Sequence, residues 1–167
     1  MKTINIERLA QELAFIEDDV RNVNCGGCGV VAAALYDELS FRELHPDIVV
    51  ICDAPEDFHG KVRTDELQLL MFDSGKIGWS HIVVRVAGIY HHAMDDGIYA
   101  RSETEAVSNA RNHGGRRNVA EMDRGELEEM LHVPAVWNPE FDRIRYAPVV
   151  RDRVAEAVEN SLEECPS

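Results

Sequence analysis

The feature that most constrains the fold is a pair of β-rich runs that meet at one glycine-containing turn. The first run covers 81–86 and is rich in Val and Ile, and the second covers 89–94, after Ala87 and Gly88. Two such runs that are separated by only two residues predict an antiparallel β-hairpin. The fold is therefore expected to contain an antiparallel sheet.

The turn also determines which side chains share a face of this hairpin. With a two-residue turn, His92 falls opposite Val83 on the neighbouring strand. Side chains alternate between the two faces of a strand, so His92 shares a face with His81, as its diagonal neighbour. His91 is expected to point to the opposite face.

A glycine-bearing loop leads into a second informative segment. The loop covers 22–27, and Cys28 then opens an apolar run to Leu39 that predicts a helix buried against the sheet. The first turn of a helix has free N–H groups and the positive end of the helix dipole, and both stabilise a thiolate. Gly26 and Gly27 allow close approach of a substrate to backbone N–H groups that can hold an oxyanion. Cys28 is thus a candidate thiol nucleophile.

The remaining periodic segments complete an α+β fold. Helices are predicted over 6–20 with Asn5 or Thr3 as N-cap, and over 64–72, 102–112, 123–131 and 148–164; a strand is predicted over 48–52. The helix that begins at Cys28 is expected to pack on the antiparallel sheet, with additional helices at both ends of the chain. We predict one domain that covers residues 1–167.

The loop and the helix together resemble the nucleophile segment of papain-like cysteine peptidases. That segment has the pattern Cys-Gly-[Ser/Ala]-Cys-[Trp/Tyr], and its second cysteine, the nucleophile, corresponds to Cys28. The family has a glutamine that donates to the oxyanion six positions earlier, where this chain has Asn22. Two departures are that Gly29 replaces the aromatic residue and that His81 follows Cys28 by only 53 residues. The chain is therefore more similar to compact relatives, the transglutaminase-like proteins and the small bacterial cell-wall peptidases.

This resemblance implies a papain-like, compact cysteine-peptidase fold and a thiol-dependent hydrolase or acyltransferase. The substrate is expected to be a peptide, isopeptide or amide, and no cofactor or metal is required. In the compact relatives a histidine opens a strand and a third polar residue lies on the next strand. Cys28, His81 and His92 correspond to this triad. Both water and an amine remain open as the group that accepts the acyl group.

Several site residues remain open within this hypothesis. Asp95 or Asp96 replaces His92 as the third member if a bulge shifts the register, since an acid would hold an imidazolium more strongly. Asn22 or Asn24, together with the N–H of Cys28, is expected to stabilise the oxyanion. Cys25 lies before the helix, so it is the less favoured nucleophile.

Two other classes of protein fit the same residues. One is a non-catalytic papain-like domain that binds a protein or peptide in the same cleft. The other is a zinc protein, because Cys25 and Cys28 with His91 and His92 have a Cys₂His₂ composition. Adjacent strand histidines point to opposite faces, which disfavours zinc. A redox pair is disfavoured because no strand directly precedes Cys25.

The charge and hydropathy of the chain limit the classes of partner that it can bind. Lys and Arg total 17 against 31 Asp and Glu, which gives a formal net charge of −14. Such a surface repels phosphate groups, so binding to nucleic acid or to an anionic membrane is disfavoured. No apolar run approaches the roughly 18 residues of a membrane helix. The first residues do not resemble a signal peptide, and the protein is expected to be cytoplasmic.

Overall fold

Helices and short strands alternate along the residues that the computed structural model describes, which are 2–21, 23, 27–53, 78–92, 99–110, 117–132 and 141–164. The described elements in chain order are β1 (Lys2–Ile4), α1 (Ile6–Ala14), α2 (Ile16–Asp19), α3 (Cys28–Phe41), β2 (Asp47–Asp53), β3 (Gly78–Val86), β4 (Ile89–His91), β5 (Tyr99–Ala100), α4 (Glu103–Asn109), β6 (Arg117–Met122), α5 (Arg124–Leu131), α6 (Arg143–Asn160) and β7 (Leu162–Glu164). The chain is an α+β protein, as the sequence predicts. The helix predicted over 64–72 lies outside the described residues.

Five of the described strands form an antiparallel sheet of order β5-β4-β3-β2-β6, and β1 pairs with β7 in a separate two-stranded sheet. Within the β3–β4 hairpin, Val86 lies opposite Ile89. Ala87 and Gly88 form the turn with φ values of 50° and 78°. Positive φ at both central residues defines a type I′ turn, the form that matches the twist of two paired strands. The predicted two-residue turn and its register are therefore confirmed.

The two faces of the large sheet carry different layers. Alternate residues such as Ile82 and Val84 pack with α1, α3, α5 and α6 in the larger of the two cores. The intervening residues, such as Val83 and Tyr90, pack against Ala106 and Ala110 of the α4 segment. Cross-strand partners share a face, so the face of any strand residue follows from its partner.

Helix α3 is the centre of the larger core. Its residues from Cys28 to Ala33 are all buried, because the sheet covers one side and α5 and α6 cover the others. Glycine is required where the chain enters this helix. A Cβ atom on Gly27 would lie 2.6 Å from the carbonyl oxygen of Val23, which is closer than van der Waals contact allows.

Of the predicted helices, one is divided in the structure and another is shortened. The helix predicted over 6–20 divides at Phe15 into α1 and α2, although Asn5 caps it as expected by accepting a hydrogen bond from the N–H of Arg8 at 3.0 Å. The helix predicted over 102–112 is shorter, Glu103–Asn109, and is capped by Ser102.

The prediction of a C-terminal helix over 148–164 is wrong at both ends. Helix α6 begins five residues earlier, behind Asp142, whose side chain accepts a hydrogen bond from the N–H of Arg145. Pro148 therefore lies inside the helix. Because proline has no N–H, the carbonyl of Ile144, four residues earlier, receives no helical hydrogen bond. Ile144 is 92% exposed, so water can hydrate this carbonyl. Residues 162–164 form β7 and not a last helical turn.

None of the described helices combines the length and the apolar character that crossing a membrane requires.

The turn residue Ala87 provides a test of the hairpin. Ala87→Asn is expected to stabilise the protein by about 0.5–1 kcal/mol, because Asn tolerates positive φ at the first position of a type I′ turn. Urea denaturation gives the free energy of unfolding. Gly88→Ala is the opposing control and is expected to lower the free energy of unfolding by about 1 kcal/mol. The added methyl group meets no atom within 4 Å, so this decrease would come from the backbone conformation alone. Equal effects of the two substitutions would contradict the turn assignment.

Candidate active site

The rings of His81 and His92 stack on the face of the sheet that α4 covers. Their centroids are 5.2 Å apart and their planes are inclined by only 12°. His81 lies opposite Ile51, which belongs to the core on that face. The side chain of His92 is fully buried and that of His81 is 7% exposed. The structure thus brings together the two histidines that the hairpin register places side by side.

Burial makes His91 and His92 poor proton acceptors. Within the described part of the chain, neither ring nitrogen of either residue has a hydrogen-bond partner. Burial lowers the pKa of His92 to about 4, although the negative charge of Glu105 acts in the opposite direction. Burial also lowers the pKa of His91 to about 4, and the proximity of His92 adds to this effect. Both rings are therefore neutral near pH 7.

Glu105 is a charged neighbour of this cluster that sequence analysis did not assign to the site. It lies in the first turn of α4, and its carboxylate accepts a hydrogen bond from the N–H of Arg101 at 2.8 Å. The sequence signal was an acidic residue in a first helical turn, which is common for reasons of helix stability alone. Only the packing of α4 against the sheet brings this exposed acid near enough to act on the charge state of His92.

Cys28 begins α3, and its sulfur lies against β3. The side chain is 8% exposed and belongs to the core that contains Ile82. Three backbone N–H groups, those of Ile82, Gly29 and Cys28 itself, provide hydrogen bonding that favours the thiolate. Ile82 directly follows His81, so the thiol lies beside the peptide group that joins these two residues. The ring of His81 lies on the other face of the sheet, with Ile51 and His92, and does not point towards the thiol.

The expectation that the start of the helix lowers the pKa of Cys28 is wrong in its net direction. Burial raises the pKa of this thiol to about 11, against the smaller effect of the three N–H groups. The backbone does favour the thiolate, as expected. The loss of hydration around the charged sulfur is the larger effect. The resting side chain is thus a neutral thiol.

Other predicted site residues lie outside the described residues: Asn22, Asn24, Cys25, Asp95 and Asp96. Their assigned roles stay predictions. Among the residues that are described, no three His, Cys, Asp or Glu side chains are grouped so that they could hold a metal ion. His91 pairs with Val84, whereas His92 stacks on His81, so the two adjacent histidines face opposite sides of the sheet.

Comparison of the chain with protein-family models, with curated proteins and with solved structures finds no match. Any function must therefore be argued from the geometry itself.

The buried histidines predict acid sensitivity. An unfolded histidine titrates near 6.5 and a folded His91 or His92 near 4, so the unfolded chain takes up protons first as the pH falls. The contribution of these residues to the free energy of unfolding is fully present above pH 6.5. It decreases as the pH falls from 6.5 to about 4. The loss is on the order of 3 kcal/mol for each histidine. Urea denaturation at a series of pH values measures it.

Carboxylates also titrate in acid, so the informative quantity is the difference between variants. His91→Leu and His92→Leu should each flatten the dependence of the unfolding free energy on pH, because each removes one titrating ring. His132 is the matched control, since it is exposed and lies beside Glu128 on the protein surface. If His132→Leu flattens the dependence as much as His92→Leu, the buried rings are not responsible.

Proposed function

We propose that this protein catalyses thiol-dependent acyl transfer on a peptide, isopeptide or amide, with Cys28, His81 and His92 as its triad. The observation that carries the proposal is the position of the Cys28 sulfur. It lies beside the N–H of Ile82, which directly follows His81 in the chain. The ring of His81 stacks on that of His92 on the other face of the sheet, so the proposed reaction requires a local movement that brings the sulfur and this ring together. A cysteine at a helix N-terminus with a histidine on the neighbouring strand is an arrangement that nucleophilic catalysis by a thiol uses.

The raised pKa of Cys28 determines the order of events. A thiol with a pKa of about 11 is protonated at neutral pH, so the nucleophile is not a preformed thiolate. His81 accepts the S–H proton as the sulfur attacks the carbonyl carbon. The carbonyl oxygen becomes an oxyanion, and collapse of this intermediate breaks the C–N bond. His81 then gives its proton to the departing amine, and a thioester remains on Cys28.

The second half of the reaction returns the enzyme to its starting state. Water, or an amine from another molecule, attacks the thioester carbonyl and loses its proton to His81. Breaking of the C–S bond releases the acid or the new amide, and the sulfur recovers the proton. Backbone N–H groups at the start of α3, with Asn22 or Asn24, are the proposed oxyanion donors. Such donors contribute about 3 kcal/mol each in comparable sites.

His92 acts as a positioning residue in this proposal. Nearly parallel rings cannot form an in-plane N–H···N hydrogen bond, so His92 holds the plane of the His81 ring by packing. Its low pKa keeps it neutral while His81 gains a proton. A neutral neighbour avoids the repulsion that two adjacent imidazolium groups would create.

The burial of Cys28 favours a second candidate function. A thiol that is 8% exposed and has a raised pKa is also typical of a structural cysteine. In that case the domain would bind a protein or a peptide without cleaving it. Acylation in the folded state separates the two candidates, because only a catalytic thiol reacts while the core is intact.

An activated ester provides the test without knowledge of the natural substrate. Treatment with p-nitrophenyl acetate at neutral pH is expected to leave one acetyl thioester on Cys28, which intact-protein and peptide mass spectrometry would locate. Cys28→Ala should abolish this adduct. His81→Ala should slow its formation by about a hundredfold or more, because the proton acceptor is lost. His92→Ala should slow it by about tenfold, because the ring of His81 is less well positioned.

Cys25→Ser is the matched control for the nucleophile, and it should retain most of the reactivity. Melting curves must show that each variant is folded. Acetylation of Cys28 only after addition of urea would contradict catalysis and favour the binding domain. If Cys25→Ser is inactive and Cys28→Ala remains active, then Cys25 is the nucleophile and Cys28 is not. Loss of bound zinc from both variants would indicate a metal site.

A further inference from the structure

A second candidate site is a cavity of about 780 Å³ at the other end of β3. It lies where β1, β7, the end of α3 and the β3–β4 turn meet. Its walls are mainly aliphatic side chains, contributed by Ile4, Ile6, Leu44, Val86 and Leu162. The volume falls within the range of about 300–1,000 Å³ that is usual for small-molecule sites. Val86 is five residues from His81, roughly 17 Å along an extended strand, so the cavity is separate from the proposed triad.

The charges at the rim of the cavity favour a cation. Arg42 lines it, but all three nitrogen atoms of its guanidinium group are engaged by carboxylates. Its Nε and one terminal nitrogen donate to Glu38 at 3.0 and 2.7 Å, and its other terminal nitrogen lies 2.9 Å from Glu159. Two acidic groups therefore surround one basic group, which leaves no positive charge for an anionic ligand.

Glu43 adds a further carboxylate to the rim. Its side chain is exposed, and within the described residues it has no ion-pair partner. The backbone holds it in place at some cost, since its φ is 61° and that of His45 is 48°. Two non-glycine residues at positive φ on either side of Leu44 fix the direction of this wall, and such strain is concentrated at functional sites in proteins.

We propose that this cavity binds a linear aliphatic amine in its protonated form. The alkyl chain lies against Ile4, Leu44, Val86 and Leu162, where burial of each CH₂ group contributes about 0.8 kcal/mol. The ammonium group lies at the rim beside the carboxylate of Glu43. The proposal is independent of the triad, because it uses none of the residues that surround Cys28.

Matched ligands with the same chain and different head groups test the proposal. Decylammonium, decanol and decanoate would each be titrated into the ¹⁵N-labelled protein below their micellar concentrations, at one ionic strength. Decylammonium is expected to shift the amide signals of Ile4, Leu44, Val86 and Leu162. It should bind about fivefold to tenfold more tightly than decanoate, because the carboxylate of Glu43 attracts one head group and repels the other.

Two kinds of variant separate charge from shape. Glu43→Gln should bring the affinities for decylammonium and decanoate close to one another and leave that for decanol unchanged. Leu44→Trp should fill the cavity and abolish binding of all three ligands. Ile4→Trp fills the same space from another wall and serves if Leu44→Trp does not fold. All variants should keep the wild-type reactivity of Cys28 towards p-nitrophenyl acetate.

Three results would overturn the proposal. The first is binding of decanoate as tightly as decylammonium to the wild-type protein. The second is a set of shifted signals that lies outside the cavity, or no shifts at all. The third is unchanged binding in both cavity-filling variants. If no acetyl adduct forms on Cys28 of the wild-type protein, the proposed catalysis is contradicted. The inference about the cavity is not affected by that result.

Discussion

The packing of α3 between the sheet and two other helices is the constraint on which the rest of the structure depends. This helix is apolar on nearly all sides and is buried from Cys28 to Ala33, so it is stable only when other elements enclose it. The sheet covers one side through Ile82 and Val84, and α6 covers another through Val150 and Val154. The same enclosure presses the first residue of α3 against β3. The position of the thiol is thus a direct result of how the core is built.

That enclosure also sets the chemical state of the thiol. A helix N-terminus stabilises a nearby negative charge by up to about 2 kcal/mol, whereas loss of hydration around a fully buried group can shift a pKa by three to five units. In Cys28 the second effect is larger, and the pKa rises to about 11. In the proposed reaction the sulfur must therefore be activated by a histidine, because the resting side chain is a neutral thiol.

The sequence predicted those features that follow from local rules. The register of the hairpin follows from Ala87 and Gly88 in a two-residue turn, and the stacking of His81 on His92 follows from that register. The beginning of α3 at Cys28 was also predicted, because glycines precede a continuous apolar run. Each of these features depends on residues that are near one another in the chain.

Features that depend on distant contacts could not be predicted in this way. Nothing local in residues 2–4 indicates that they pair with residues 162–164. The start of α6 was misplaced because Pro148 resembles a first helical residue, whereas Asp142 is the cap. The net pKa shift of Cys28 depends on how completely distant elements cover its sulfur. The proximity of Glu105 to His92 likewise depends on where α4 docks.

The pairing of β1 with β7 has a consequence for the order in which the chain folds. Strand β1 leaves the ribosome well before its partner, because residues 162–164 follow it by about 160 residues in the chain. Until that partner emerges, Ile4 and Ile6 have no strand against which to pack, and the entropy of closing so long a loop opposes their docking. These apolar residues therefore lack this partner while the intervening residues are synthesised. The wall that they form with Leu162 is completed only after β7 has emerged.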